Sequence, residues 1–338
     1  MLRAAPRHRA ADAVTAVLTL SVAAGATVVA APGWFGLAGE RPLVWLVPFR
    51  VPLGLGLAGA AGLTALVGLT GRRRRRALPA AAVLAVVAAA SLTATAQRGL
   101  AAGELPPARE GDVTVLAANV LHARADRAAV ADLAVRTGAQ VLSLPESTAE
   151  YAREVAERVQ ASSGRRLQVF FSPDGGDGEE GTALLVDEAL GEYRATDDFA
   201  GSTTAVTTAV PVSGEGPPLA AAHTAAPVPH RMAAWRREVP AVAQWCARTP
   251  GALLAGDLNA TLDHPGMRLP GTCVDAGAAT GTGARGTWPS GAPAALGATI
   301  DHALADGAAW RAVGSAVRDV AGSDHRALVV RWRPARAA

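Results

Sequence analysis

The sequence predicts a mixed α/β domain carried behind three apolar helices of membrane-spanning length. Three features carry that expectation. The first hundred residues hold three uncharged apolar runs. The chain beyond residue 111 alternates short apolar runs with amphipathic stretches. Between the two parts the net charge changes sign.

The apolar runs are residues 13–32 (AVTAVLTLSVAAGATVVAAP), 51–70 and 77–96. At 1.5 Å per residue, about 20 residues cover the roughly 30 Å of a bilayer core. One Ala-rich run would read as a buried soluble helix; three uncharged runs in a hundred residues favour transmembrane helices. Arg3, Arg7 and Arg9 precede the first, and the block Arg72–Arg76 separates the second from the third. The positive-inside rule then places the N-terminus and the Arg block in the cytoplasm, and residue 97 onward at the outer face of the cell membrane. The basic start and small residues of the first run leave a signal peptide as the alternative. The expected organisation is a membrane anchor over 1–97, a linker over 98–111 broken by Pro106, Pro107 and Gly111, and a catalytic domain over 112–338.

The charge division limits the partners. Residues 1–110 carry 12 Arg against four acids, a net of +8, whereas residues 111–338 carry 20 Arg against 25 acids, a net of −5. The basic pI therefore belongs to the anchor, and the C-terminal domain lacks the overall basic footprint of a nucleic-acid-binding module. Five consecutive Arg between apolar runs suit a topology signal near anionic lipid.

Within the domain, strands are expected at 112–118, 140–145, 182–186, 203–212, 218–222, 252–256 and 327–332, and helices at 126–137, 148–161 and 231–248. Trp235, Val239, Val242 and Cys246 fall near helical spacing and form a core stripe. The acidic, Gly-rich segment 172–181 reads as a solvated loop. Cys246 and Cys273 are the two cysteines. Outside the membrane they can pair, but spacing alone leaves that open.

Polar residues recur where the expected strands end: Asn119, Glu146, His223, Asp257 with Asn259, Asp301 with His302, and Asp324 with His325 just before the last strand. Singly, each has a plain reading as turn chemistry or a satisfied histidine. Together they supply hard oxygen donors, further carboxylates and imidazoles, a set suited to Mg²⁺ and a phosphate. The chain has no HExxH and no paired-Cys spacing for zinc.

In order, AANV, LPE, HTAAP, GDLNA, GTWPSG, TIDHAL and GSDHRAL resemble the endonuclease/exonuclease/phosphatase superfamily. That group includes deoxyribonuclease I-like nucleases, abasic-site endonucleases, neutral sphingomyelinases and inositol polyphosphate phosphatases. The resemblance covers roughly 112–334 and implies a four-layer αββα sandwich with its site at one end. It also implies roles. Glu146 would be the principal ligand of Mg²⁺ (or Mn²⁺), with Asn119 and Asp324 completing or supporting the metal site. Asp257 would orient or deprotonate water, and Asn259 would hold a phosphate oxygen. His325 would stabilise phosphoryl charge with its ring fixed by Asp301, and His223 would protonate the leaving oxygen. Pro145 departs from the family's usual Gln before the metal-binding Glu, removing a backbone donor and a side-chain amide.

The expected activity is a membrane-tethered, metal-dependent phosphodiesterase acting at the outer face, on nucleic acid or on a phospholipid or small phosphoester. The alternatives are an inositol-phosphate or phospholipid hydrolase of the same fold, or a non-catalytic binding domain. Besides the lipid bilayer, the sequence shows no obligate protein partner. A calcineurin-like metallophosphatase would need an Asp-x-His start and a GNH[ED] segment, and the chain has neither.

Overall fold

The computed structural model describes residues 6–69, 74–173, 181–199 and 205–335. Arg3, Arg72, Arg73, most of the acidic 172–181 loop and the start of the 203–212 run lie outside the described residues. The chain divides into two compact units, Met1–Gln97 and Arg98–Ala338.

The first unit is helical: α1 (Pro6–Ala30), α2 (Leu43–Leu46), α3 (Arg50–Leu69) and α4 (Arg74–Arg98). Of the expected spans, α1 covers residues 13–30, α3 covers 51–69 and α4 covers 77–96. Among the described residues, two stretches, Leu43–Leu69 and Ala77–Arg98, are long and apolar enough to cross a membrane, while Ala16–Ala30 is a shorter apolar helix. Along α1, α3 and α4 the described buried positions are small, namely Ala26, Ala30, Gly54, Ala61, Gly68, Ala81, Ala88, Ser91 and Thr95, whereas the stretch between α1 and α3 buries Val44 and Val47. Leu18, Leu20, Leu63, Leu66 and Val86 are exposed. A Cβ at Gly54 would lie 2.8 Å from the Leu92 side chain, and one at Gly68 would lie 2.9 Å from Ala77. Helices α3 and α4 thus meet across glycine, which lets their backbones approach closely. The hydroxyls of Thr27, Thr64 and Thr95 donate to the carbonyls four residues back, so these helices carry them without an outside partner.

The second unit holds two six-stranded sheets. The strands are β1 (Val113–Ala117), β2 (Val141–Ser147), β3 (Leu167–Pro173), β4 (Gly181–Asp187), β5 (Tyr193–Thr196), β6 (Val206–Pro211), β7 (Leu219–His223), β8 (Leu253–Asp257), β9 (Cys273–Asp275), β10 (Asp301–Asp306), β11 (Trp310–Asp319) and β12 (Arg326–Pro334). One sheet runs β11-β12-β1-β2-β4-β3 and the other β5-β6-β7-β8-β10-β9. The helices are α5 (Arg127–Thr137), α6 (Ala149–Ser163), α7 (Met232–Arg248) and the short α8 (Ala276–Thr280). Two pairs, β1–β2 and β7–β8, are parallel, and the other pairs among the described strands are antiparallel. Each parallel pair is joined by a helix, α5 or α7, because parallel strands need a crossover.

Alternation along the strands builds two cores. Val113 and Val115 of β1 and Leu328, Val330 and Trp332 of β12 fill the space between the sheets. Leu116 and Val329 point the other way, onto a cluster completed by Tyr151, Val155 and Val159 of α6. Those three recur at helical spacing, and burying each contributes about 1.5–3 kcal/mol. Asp126 caps α5 at Ala128 and Ala129, Thr148 caps α6 at Tyr151, and Gly138 and Gly164 end the two helices in the left-handed conformation. On the second sheet, α7 buries Trp235, Val239, Val242 and Cys246. The question of the cysteines is answered here: Cys246 is disulfide-bonded to Cys273, tying α7 to β9. The result is two helix-covered sheets packed face to face, an α/β sandwich.

Residues 99–112 form no helix or longer strand, yet they are fastened to the domain. Arg98 forks onto Asp263 through both Nη atoms, at 2.7 and 2.6 Å. Gly283 N–H donates to Arg98 O, Ala284 N–H to Gly99 O and Val317 N–H to Ala102 O.

Candidate active site

The residues singled out in the sequence gather where the two parallel pairs end. In open α/β sheets, the carboxyl ends of parallel strands are where a crevice forms. Asn119 follows β1, Glu146 lies near the end of β2, His223 closes β7 and Asp257 closes β8. His223 and Asp257 are register partners, and Asp257 is opposite Asp301, the first residue of antiparallel β10. His325 directly precedes β12, which runs antiparallel to β1 and so begins at the same end. The sheets are linked there by Ser143, whose hydroxyl donates to Ala255 O at 2.8 Å.

Local backbone explains two motifs. Gly256 precedes Asp257 with φ 152°, and a Cβ there would lie 1.9 Å from Ala222 O on the neighbouring strand. Glycine is therefore required for β7 and β8 to approach and align their last residues. Pro145 sits in a β-bulge, where the β2–β4 register shifts between Leu144 and Ser147. A bulge tolerates a strand residue without an N–H. Pro145 O accepts from Val120 N–H, and Glu146, at φ 54°, turns out of the strand.

Asn119 clamps two acids. Its Nδ2 donates to Glu146 Oε1 at 2.9 Å and to Asp257 Oδ2 at 3.0 Å, while its Oδ1 accepts from Leu121 N–H. This places its amide nitrogen between the two carboxylates and its oxygen on the Leu121 amide. Asp257 Oδ1 accepts from Asn259 N–H at 2.8 Å, and Asn259 Nδ2 donates to Thr224 O at 2.9 Å. His325 joins the group from the other side, with Nδ1 2.9 Å from Asp301 Oδ2 and Nε2 3.7 Å from Asp257 Oδ2. His223 Nε2 lies 3.8 Å from Glu146 Oε1. Asp324 accepts from Trp288 Nε1 at 3.1 Å. Among the described residues it belongs to neither group able to hold a metal ion, which are Glu146–His223–Asp257 and Asp257–Asp301–His325.

Burial makes these contacts count. Burial acting alone would lower the pKa of His325, but Asp301 and Asp257 outweigh it, and the imidazole is pushed up to about 10. His325 is therefore a cation across the neutral range. Burial, and then Asp301, pushes the Asp257 carboxyl upward, with His325 and His223 pulling against that shift. Among the described residues, two buried atoms of this site, His223 Nδ1 and Asp301 Oδ1, have no hydrogen-bond partner. A buried polar group left so is costly, and a site that receives a ligand is one place where that occurs. Glu146, partly exposed beside two imidazoles and a second carboxylate, offers the hard oxygen that a Mg²⁺-class cation takes.

His302 does not join the site. As the next residue in β10 it points away from Asp301. Its Nδ1 is 2.8 Å from Asp275 Oδ2 and its Nε2 is 2.9 Å from Ala260 O, which braces the chain just beyond Asn259. Thr287 Oγ1 accepts from Ile300 and Asp301 N–H, and Arg326 donates to four carbonyls of the 286–292 loop. Sequence reasoning missed Arg326 and also His122. His122 Nε2 lies 3.5 Å from Glu146 Oε2 on a turn that has no sequence signature.

A face-to-face sandwich with an acid–imidazole cluster at its strand ends is an α/β scaffold whose class comparison with known proteins makes specific. The sequence matches the Endonuclease/Exonuclease/phosphatase family over residues 116–325, more than half of the chain. The chain belongs to that family, whose members are in general phosphoesterases and nucleases that use divalent metals. Its fold is similar to that of a humanized D. rerio TDP2 (17% identity, TM-score 0.51, covering 66% of this chain and 100% of that one). It is also similar to an endonuclease/exonuclease/phosphatase from Beutenbergia cavernae (18%, 0.51, 67% and 72%) and to one from Bacteroides vulgatus (12%, 0.51, 67% and 100%). A search of curated proteins returned no match. At these identities the likeness speaks for the fold.

Proposed function

We propose that the chain is a membrane-anchored phosphodiesterase dependent on Mg²⁺ or Mn²⁺, with its catalytic domain at the outer face. The observation that carries the chemistry is the buried chain Asp301–His325–Asp257, joined through Asn119 to Glu146. Glu146 would hold the cation, with Asp324 at the rim and Asn119 supporting the site by fixing both carboxylates. When bound, that cation neutralises phosphoryl oxygens and lowers the pKa of water. Asp257, its carboxyl pushed upward towards the range of a useful base, accepts a proton from the attacking water. The His325 cation, oriented by Asp301, faces the charge that builds on the phosphoryl group. His223 donates to the leaving oxygen, and Asn259 holds Asp257 in line while offering its other amide hydrogen to phosphate.

The anchoring rests on the first unit's small buried and large exposed side chains, which suit a lipid surroundings better than water. The Cys246–Cys273 disulfide supports the outer face, because disulfides persist in oxidising compartments. The net −5 of residues 111–338 favours a small or lipid phosphoester over duplex nucleic acid, where phosphate neutralisation dominates affinity.

The test uses the full chain in detergent with bis(p-nitrophenyl) phosphate, plasmid DNA, sphingomyelin and an inositol phosphate. Turnover of at least one substrate, abolished by EDTA and restored by Mg²⁺ or Mn²⁺, is expected. His325→Ala and Asp257→Ala should each lower kcat by on the order of 10²–10³. Full activity in both variants would remove the assignment.

A further inference from the structure

The turn that carries Asp257 and Asn259 is held from outside at every step. Asp257 O accepts from Thr224 N–H at 3.1 Å and Leu258 O from the Thr224 hydroxyl at 2.6 Å. Asn259 O accepts from Trp235 Nε1 at 3.0 Å and Ala260 O from His302 Nε2 at 2.9 Å. Consecutive carbonyls thus meet donors from the residue after β7, from α7 and from β10. Asn259 itself sits at φ 45°. Asparagine tolerates positive φ better than most side chains, yet it keeps that conformation only where its surroundings impose it. One neutral hydrogen bond biases an equilibrium by roughly fivefold, so a single donor would leave the turn loosely set.

Trp235 and His302 are both 2% exposed. A buried indole needs an acceptor, but any carbonyl would serve. These two side chains instead converge on one turn, and that turn aims the Asp257 carboxylate: Asn259 N–H donates to Asp257 Oδ1 at 2.8 Å. The His302 ring is itself fixed, with Nδ1 2.8 Å from Asp275 Oδ2. The Cys246–Cys273 disulfide ties α7, which carries Trp235, to β9, which carries Asp275. The two arms of the clamp are therefore covalently joined.

We propose that Trp235 and His302 are positioning residues that hold Asn259 at positive φ, so that its N–H keeps the Asp257 carboxylate aligned on the attacking water. This rests on the phosphodiesterase reading of the site. Misalignment of a proton acceptor slows the reaction of bound substrate and leaves its binding largely alone, so the loss falls on kcat and not on KM.

The experiment uses full chains in detergent with bis(p-nitrophenyl) phosphate and Mn²⁺, well below the thermal midpoint of each variant. Trp235→Phe keeps a ring and removes the donor; kcat should fall about tenfold with KM within about twofold. His302→Gln, which keeps an N–H for Ala260 O, should retain more kcat than His302→Leu. Where His302→Leu does not fold, Trp235→Phe decides alone. In an Asn259→Gly background, where glycine takes positive φ freely, Trp235→Phe should change kcat by less than about twofold, because the residue it acts through is gone. A residue that served the fold alone would cost the same in both backgrounds. Hydrogen exchange of the metal-free protein reads the turn without turnover: the Asn259 amide should exchange about fivefold faster in Trp235→Phe. An unchanged kcat in Trp235→Phe, an equal loss in the Asn259→Gly background or an unchanged Asn259 exchange overturns the proposal. If wild type turns over nothing but the exchange still quickens, the phosphodiesterase reading falls and the clamp stands. If wild type is active and the exchange does not change, the reading stands and the clamp falls.

Discussion

The two units of this chain bury opposite kinds of side chain. In Met1–Gln97 the buried positions are largely alanine and glycine, while Leu20 and Leu63 are 68% and 65% exposed. In Arg98–Ala338 the largest fully buried side chains are Trp332, Tyr151 and a set of leucines. Both units are rich in apolar residues, so the hydrophobic fraction does not set them apart; where the large side chains point does. Water drives large apolar side chains inward; if the first unit lies among lipid tails, as proposed, an outward Leu costs nothing there and association depends on close packing of small residues.

The sharpest way to break that contrast is a pair of matched truncations. Trp332→Ala, at the centre of the inter-sheet core, should cost about 3–5 kcal/mol. Leu63→Ala, on an exposed helix face, should stay within about 0.5 kcal/mol. Denaturation of the full chain in detergent reads both. Equal losses would mean that the Leu63 face is covered by protein and not by lipid.

The disulfide gives the next effect, and it falls on the second unit alone. Closing a loop between Cys246 and Cys273, 27 residues apart, removes chain entropy worth roughly 3.5 kcal/mol in the unfolded state. Cys246→Ser with Cys273→Ser, or reduction of the wild type, should lower the domain's melting transition. The helical signal of Met1–Gln97 should not move with it.

A pH effect distinguishes the units further. Burial acting alone would lower the pKa of His302, but Asp275 outweighs it and raises it from its ordinary 6.5. With the folded value above the unfolded one, protonation stabilises the fold. That stabilisation is complete below about pH 6.5 and is lost as pH rises through the raised folded value. Asp275→Asn keeps a cap for Ala278 but removes the charge. Its stability deficit should therefore be largest at low pH and shrink as pH rises. A deficit constant from pH 5 to 10 would show that the pair contributes through shape alone.

How far the sequence disclosed this molecule follows from the same physics. Strands β1, β2, β4, β6, β7, β8 and β12 were legible as apolar runs, and α5, α6 and α7 as amphipathic ones. Strand β10 escaped notice because it opens on Asp301 and His302 and is buried along its whole length, so no alternation marks it. Strand β11 has a register shift between Ala312 and Gly314 that breaks its period. The polar residues of the site were legible by position, at the ends of runs. Their coupling was not, since Asn119 and Asp257 lie 138 residues apart and meet only because two β-helix-β pairs end at the same edge. His122 was illegible for another reason: nothing in Leu-His-Ala announces a left-handed turn, whose amides meet Glu146 of β2.

The smallest expected effect concerns the border between the units. A chain beginning at residue 112 would lose the Arg98–Asp263 fork and the backbone bonds that Arg98, Gly99 and Ala102 accept from Gly283, Ala284 and Val317. The amides left behind would meet water, so the loss should be modest, about 1–2 kcal/mol in total. A chain beginning at residue 98 would keep them all. Side-by-side melting of the two should therefore separate them by several degrees, with the longer form higher, since 1 kcal/mol moves a domain of this size by roughly 2–4 °C. Equal midpoints would make residues 98–111 a passive connection. The expected difference would instead make them part of the sandwich, so that the second unit begins where α4 ends.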